Sequence, residues 1–571
     1  MNLRITFLFI ASLSVGCAPT LHQFPLEEAL WQDPDQQPFA PAPEEYYSPF
    51  FWDAANQMVF RPMSRVFAVD PAGEAENVNA FDEVANSSWF TNRIGLRDMS
   101  VEEVIHAACG GDGGAPNDGG PWTIISAKPN GANPGFNIED ATGRKFLLKF
   151  DSPDQAPRGT AADVSGSIYY YAAGFHAPCN RVIFFDPDIL TIPEGATYEN
   201  PSGDEVPLTM DIVTDALSFA TPVGNGIIRG SSSLFIDGRP IGPWTYEGTR
   251  SDDPNDVINH EDRRELRGGR LLAAWFNHTD AREQNTLSGW VSTDEESGAG
   301  YVRHYYIDFG DCYGSLWPFD GITRRLGHSG YFNVGDIAAD FVSLGIIPRA
   351  YRTNRMGPAG QVFAYFDVDS FDPDGWDPAY GNPAFSRASE RDNAWMARII
   401  SQFAPEHIEA IADFAAFQRP LLRNEISRIL KGRQQKILRR YFRQLSPLTL
   451  PSVEPGPDGA SLCVRDFAVE AEVADRFGTS YQARAWSYDG DINPLEPPAM
   501  RYGEGPSSVC AALPTLPGAT RDDPGYLVVD VLAARGETDD RSAPLRVHLY
   551  HLGGAEYVVA GLERPYDRDG L

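Results

Sequence analysis

The stretch FNHTDAREQNTL, residues 276–287, sets His278, Asp280 and Asn285 in the spacing H-x-D-x4-N, and a further acid follows in Ile307-Asp308-Phe309-Gly310. Upstream, Lys149 lies in the third of three short apolar runs, and Asp163 lies in the helical pattern that follows. Phosphoryl transfer from ATP needs such parts. It takes a lysine on the phosphates, an acid holding that lysine, a carboxylate to orient the attacking hydroxyl, and amide and carboxylate oxygens for a cation. Magnesium suits that donor set because it takes oxygen ligands in an octahedral array. Each motif alone says little: Asp-Phe-Gly occurs by chance at strand ends, while His278 can cap a helix and Asn285 close a turn. The weight lies in the ordered combination and in the apolar strand context around each part.

Those residues need elements to hold them. Trp122 to Ala127, Gly135 to Ile138 and Lys145 to Phe150 are apolar runs separated by Asn130-Gly131 and Thr142-Gly143, which predicts a three-stranded meander. TAADVSGSIYYYAAGF keeps small and apolar residues at helical spacing before a glycine stop, and Arg181 to Phe185 reads as a further strand. LRGGRLLAAWF predicts a helix running into the H-x-D-x4-N turn, and YVRHYYIDFG a strand or hairpin. The chain then becomes helical, most clearly in ERDNAWMARIISQF, PEHIEAIADFAAF and NEISRILKGRQQKILRRYFRQL. From about Ser446 alternating strands and Pro/Gly turns return in a tail with the strand spacing of a small β-sandwich.

Over roughly Trp122 to Leu445 the chain resembles the protein-kinase-like superfamily, closer to atypical members such as the HipA-like and lipid kinases than to eukaryotic protein kinases. The resemblance rests on Asn277 to Asn285 paired with Ile307 to Gly310. It implies Asp280 as the catalytic aspartate, Asn285 and Asp308 as metal ligands, Lys149 as the phosphate-binding lysine, and Asp163 in the place usually held by Glu. Lys128 and Lys145 are rivals of Lys149. The turn KPNGANPGF offers Gly131 and Gly135 for the phosphate-covering loop but lacks G-x-G-x-x-G. Asp163 is one methylene shorter than Glu, so a lysine pair there needs a closer helix. The implied fold class is α+β: a two-lobed kinase-like domain with a β N-lobe and a helical C-lobe over 110–445, followed by an all-β, sandwich-like domain over 446–571. The implied cofactors are magnesium and ATP.

The first residues, MNLRITFLFIASLSVGCAPT, have the layout of a secretory signal. Leu13-Ser14-Val15-Gly16-Cys17 resembles the lipobox of bacterial lipoproteins, which implies cleavage before Cys17 and a lipid on it; plain secretion is the alternative. The expected partners are thus a membrane, through Cys17, and an envelope protein or small-molecule acceptor. Ala18 after the cysteine resembles the default outer-membrane sorting pattern, for an organism that has one. No later stretch is long and apolar enough to span a bilayer. Residues 18–43, rich in Pro, Gln and Asp, read as a flexible tether, and 44–109 as an N-terminal extension. With 571 residues the chain is too long for one core, and its net charge of -32 argues against nucleic acid as a partner. Arg263 to Arg270 and Arg428 to Arg440 are the candidate basic patches.

Of Cys109, Cys179, Cys312, Cys463 and Cys510, the last two are the expected disulfide, and the odd number leaves at least one thiol free or paired between chains. CGGDGGAPNDGG reads as a flexible entry to the first strand and the Asp-rich Asp367 to Pro378 as a solvated loop, since it lacks the twelfth-position Glu of a calcium loop. His260-Glu261-Asp262 reads first as a structural ion-pair cluster. Three functions stay open: an exported kinase or nucleotidyl transferase, a kinase-fold lipoprotein that binds without turnover, and an envelope protein in which the motif is accidental.

Overall fold

The computed structural model describes residues 21–47, 73–127, 135–151, 153–199, 205–329, 350–456, 459–536 and 540–567, with short stretches between 52 and 63 and between 339 and 347. The protein is a mixed α+β chain. The predicted meander is present: β1 (Trp122–Ala127), β2 (Gly135–Glu139) and β3 (Lys145–Lys149) pair antiparallel in sequence order. β4 (Asn180–Phe185) and β5 (Ile227–Leu234) extend this sheet beyond β3, in the order β4-β5-β3-β2-β1. Alternation gives the sheet two different faces. Phe146 and Leu148 turn with Trp122, Ile124, Phe136 and Ile138 into one apolar cluster, which leaves Lys149 on the other face.

Helix α1 (Arg158–Ala173) follows β3 across the short 3-10 turn Pro153–Gln155, and Asp151 fixes the step between them. Its carboxylate accepts from the Thr160 N–H and hydroxyl, each at 2.8 Å, so it caps the first turn from the end of the strand. α2 (Arg264–Phe276), α3 (Glu390–Ser401), α4 (Pro405–Phe414) and α5 (Pro420–Tyr441) bury their apolar faces with α1 in a second, larger cluster. Between α2 and α3, β6 (Thr286–Asp294) and β7 (Ala299–Tyr306) form an antiparallel hairpin.

The arginines of RRELRGGR are not a surface patch. Arg263, Arg264 and Arg267 are buried, and Arg264 and Arg267 pair with Asp82, Asp392 and Asp262. Spacing alone cannot tell an exposed arginine run from one sunk among acids that are remote in sequence. Arg433, in the second candidate patch, is likewise buried, between Phe366 and Phe371. The Asp-rich loop is pinned: Arg433 donates to the Asp367 carbonyl, Arg270 to those of Pro373, Asp374 and Trp376, and Trp376 is fully buried. The Gly-rich entry is stapled by the Cys109–Cys179 disulfide and by Arg181, which donates to the Gly113 carbonyl at 2.7 Å. Cys463 and Cys510 are bridged, and Cys312 is a buried free thiol.

The segment expected to be a tether runs, from residue 21, along the folded protein. Leu21 and Phe24 pack against Trp486, Tyr526 and Tyr550, and the Phe24 N–H donates to the Tyr526 hydroxyl at 2.9 Å. Phe39 packs edge-on against Trp290 and bridges Gly300. A few aromatic anchors outweigh the polar composition around them. Cys17 lies outside the described residues.

After 446 two sheets share one core cluster: 448–456, 459–466, 508–512 and 500–502 in one, and 492–494, 479–488, 525–535, 545–553 and 556–563 in the other. This part is not purely β. The short helix Phe467–Glu470 interrupts it, and its Phe467 and Ala468 join the helical cluster.

Candidate active site

The step from β3 into α1 sets the distance between Lys149 and Asp163. Because Asp151 holds the first turn of α1 tight to the strand, an aspartate suffices there. Lys149 Nζ is 3.1 Å from Asp163 Oδ1 and 3.0 Å from Asp308 Oδ1. Lys149 and Asp163 are buried, while Asp308 keeps part of its carboxylate in solvent. Burial alone would lower the lysine pKa, but Asp163 and then Asp308 outweigh it, and the ammonium is held charged far above the ordinary lysine range. Asp163 also accepts from the Ser231 hydroxyl and the Phe309 N–H, each at 3.3 Å.

Asp308 follows β7 at φ 58, in the left-handed region that aspartate tolerates better than most side chains. Phe309 behind it is fully buried against α1, and Gly166 makes the room: a Cβ at 166 would lie 2.4 Å from the Phe309 Cβ.

The H-x-D-x4-N turn is built by the end of α2. Asn277 ends that helix at φ 57, and its side chain is fixed by Trp376 Nε1, which donates to its Oδ1 at 3.0 Å. His278 then points inward and is fully buried, its Nδ1 2.9 Å from the Tyr170 hydroxyl; burial lowers its pKa to about 4. Asn285 Nδ2 donates to Asp280 Oδ2 at 2.9 Å and to the Asp280 carbonyl at 2.7 Å, which leaves its side-chain oxygen as the ligand it can offer. Arg282 Nε is 3.0 Å from Asp280 Oδ1. Burial, reinforced by the neighbouring Asp311, raises the Asp280 carboxyl above the ordinary carboxylate range.

The hairpin joins the two halves. Thr286 is registered against Tyr306, and the Ile307 N–H donates to the Asn285 carbonyl at 3.0 Å, so Asp308 lies one residue from a direct backbone bond to Asn285. Lys149, Asp163 and Asp308 are thus in direct contact, Asn285 and Asp280 are bonded to each other, and the Ile307 to Asn285 backbone bond joins the two groups. Gly135 lies opposite Lys149 in register, and a Cβ there would lie 2.0 Å from the Leu148 carbonyl oxygen; close strand approach accounts for the glycine without a ligand. Gly131 and Lys128 lie outside the described residues, and Lys145 is exposed at the start of β3.

Several contributors have no sequence signal of their own. Ser231 and Gly166 are small residues in ordinary patterns. Arg158 Nη1 donates to the Gly310 carbonyl at 3.0 Å and the Cys312 carbonyl at 2.8 Å, which only the fold reveals. Asp311 stands out in the sequence solely as a second acid after Asp-Phe-Gly.

No protein-family profile matches the chain, and no curated protein matches it in sequence. Among solved structures it is similar to two of the Golgi casein kinase. One has 9% identity and a TM-score of 0.28, over 60% of this chain and 73% of that one. The other, with Mn/ADP bound, has 12% identity and a TM-score of 0.23, over 53% and 76%. Likenesses of this size decide neither fold nor function.

Proposed function

We propose that the chain is an exported, lipid-anchored protein whose region 110–445 is a two-lobed, kinase-like domain carrying a magnesium–ATP site, followed by a sandwich-like module that serves interaction. The observation that carries this reading is the cluster itself. Lys149 bridges Asp163 on α1 and Asp308 after β7, and the residue before Asp308 is backbone-bonded to Asn285, whose side chain is bonded to Asp280.

The donor set fits the cofactor: Asp308 and the Asn285 side-chain oxygen are hard oxygen ligands and would hold magnesium, while Lys149 would hold donor phosphates. Bound magnesium would supply neutralisation of phosphate charge. Asp280, fixed by Asn285 and Arg282, would orient an acceptor hydroxyl and accept its proton. The acceptor class is an envelope protein or small molecule bearing a hydroxyl.

Anchoring through Cys17 would be close. Leu21 packs on the C-terminal sheet, so the four residue steps from Cys17 span at most about 14 Å, and a lipid there keeps that sheet near the bilayer surface. Among the described residues no helix is long and apolar enough to cross a membrane.

One observation favours a second reading, binding without turnover: the Asp280 carboxylate is engaged by both Arg282 and Asn285. A single experiment separates the two. Magnesium–ATP at about a hundred times its Kd should stabilise the protein by about 2.7 kcal/mol, and Asp308→Ala should abolish the gain. Absence of any shift in the unaltered protein refutes both readings; a shift without phosphate transfer selects the second.

A further inference from the structure

Asp311, the acid directly after Asp-Phe-Gly, stands outside the Lys149 cluster, yet its carboxylate faces the catalytic turn along one edge. Its Oδ2 accepts from the Asp280 N–H at 2.9 Å and from the Thr279 hydroxyl at 3.2 Å, and its Oδ1 lies 3.6 Å from His278 Nε2. Both that oxygen and that nitrogen are buried and have no hydrogen-bond partner among the described residues. One side chain thus faces three consecutive residues of the turn, 278 to 280.

Asp311 is itself clamped. Arg158, on the first turn of α1, donates to the carbonyls on either side of it, Gly310 and Cys312, so the backbone carrying Asp311 is fixed to the helix that also carries Asp163. On the far side of the turn, Tyr170 of α1 holds His278 Nδ1 at 2.9 Å. The chain of contacts runs from α1 through Arg158 and Asp311 to the Asp280 backbone, and separately from α1 through Asp163 to Lys149 and Asp308.

We propose that Asp311 is a positioning residue for Asp280, locking the catalytic turn to the Asp308 segment and to α1 so that the lysine, metal-binding and proton-accepting groups keep one geometry. This deepens the reading given under the proposed function and rests on it for its catalytic meaning. The physical reason is that a carboxylate on a turn tolerates little displacement. Small misplacements of a reacting group are costly, and a charged acceptor bonded to a backbone N–H makes a strong restraint.

The test compares Asp311→Ala with Asp311→Asn, because Asn keeps an oxygen acceptor for the Asp280 N–H and Ala does not. With magnesium–ATP and water as acceptor, Asp311→Ala should lower kcat for ATP hydrolysis by about tenfold or more with KM changed by less than about twofold, and Asp311→Asn should recover most of the loss. Equal loss in both variants, or none in Asp311→Ala, overturns the proposal. Hydrogen exchange supplies a readout independent of turnover: the Asp280 amide should exchange faster in Asp311→Ala and return towards the unaltered rate in Asp311→Asn. If the unaltered protein hydrolyses no ATP, the kinase reading fails, and the exchange result alone decides the positioning role. Unchanged exchange in Asp311→Ala overturns it.

Discussion

Replacing Lys149 by methionine tests the core of the site without assuming any activity. The substitution keeps an apolar stem of similar length and removes the ammonium from between two carboxylates at 3.1 and 3.0 Å. Asp163 is then left charged and buried beside Asp308. Breaking a buried pair by removing one partner costs about 3–5 kcal/mol. The low end applies here because Asp163 keeps the Ser231 hydroxyl and the Phe309 N–H, and Asp308 keeps contact with solvent. About 3 kcal/mol is a little over a hundredfold in the unfolding constant. The sign with pH follows from the raised folded-state pKa. The contribution of the ammonium is complete below the ordinary lysine value of about 10.4 and is lost only as pH rises through the raised one, so the cost should be flat from about pH 6 to 9. Urea unfolding of Lys149→Met, followed through the first transition, measures it. A second change, Asp163→Asn, should then recover most of the lost stability, since it removes the stranded charge. If Lys149→Met lies within about 0.5 kcal/mol of the unaltered protein, or Asp163→Asn restores nothing, the ion-pair account is wrong.

Two further outcomes follow from the same geometry. Gly166→Ala and Gly269→Ala both add a methyl inside a helix, which by propensity alone gains up to about 1 kcal/mol. At 166 the Cβ meets Phe309 at 2.4 Å and should cost about 1–3 kcal/mol net, whereas at 269 the nearest atom is 3.4 Å away and the change should be neutral or stabilising; chemical denaturation of the pair reads the difference directly. Asp256, facing His260 at 2.7 Å, has its pKa lowered to about 2: burial would raise it, but His260, His304 and Arg263 prevail. Its stabilisation is present above the ordinary Asp value and lost as pH falls towards 2, so the penalty of Asp256→Asn should shrink by about 2 kcal/mol between pH 7 and pH 2.5; a pH-independent penalty in urea titrations would refute the assignment.

What the sequence makes legible is local. The meander, α1, α2 and the three late helices follow from periodicity and turn pairs, and the order of Lys149, Asp163, Asp280, Asn285 and Asp308 can be read along the chain itself. Their convergence cannot, because it depends on Asp151 capping α1 and on the Ile307 to Asn285 backbone bond, neither of which has a spacing rule. The misreadings share one cause. Residues 21–43, Arg263 to Arg270 and Asp367 to Pro378 look solvated by average polarity, and in each a few side chains with remote partners decide the outcome: Phe24 on the C-terminal sheet, Arg264 on Asp82 and Asp392, Trp376 on Asn277.

That pattern bears on Asp163 as well. As a departure from the usual Glu, the shorter acid puts the lysine pair in doubt; in the fold it is matched by the Asp151 cap and by Gly166, both of which bring α1 closer to the groups it serves. A helix drawn in close needs the shorter side chain, so Asp163 and Gly166 should be coupled. Asp163→Glu alone would press its extra methylene into a packed site, and enlarging residue 166 would push Phe309, and with it Asp308, out of reach of Lys149. The shorter acid at 163 meets Lys149 at 3.1 Å within the packing that Asp151 and Gly166 allow.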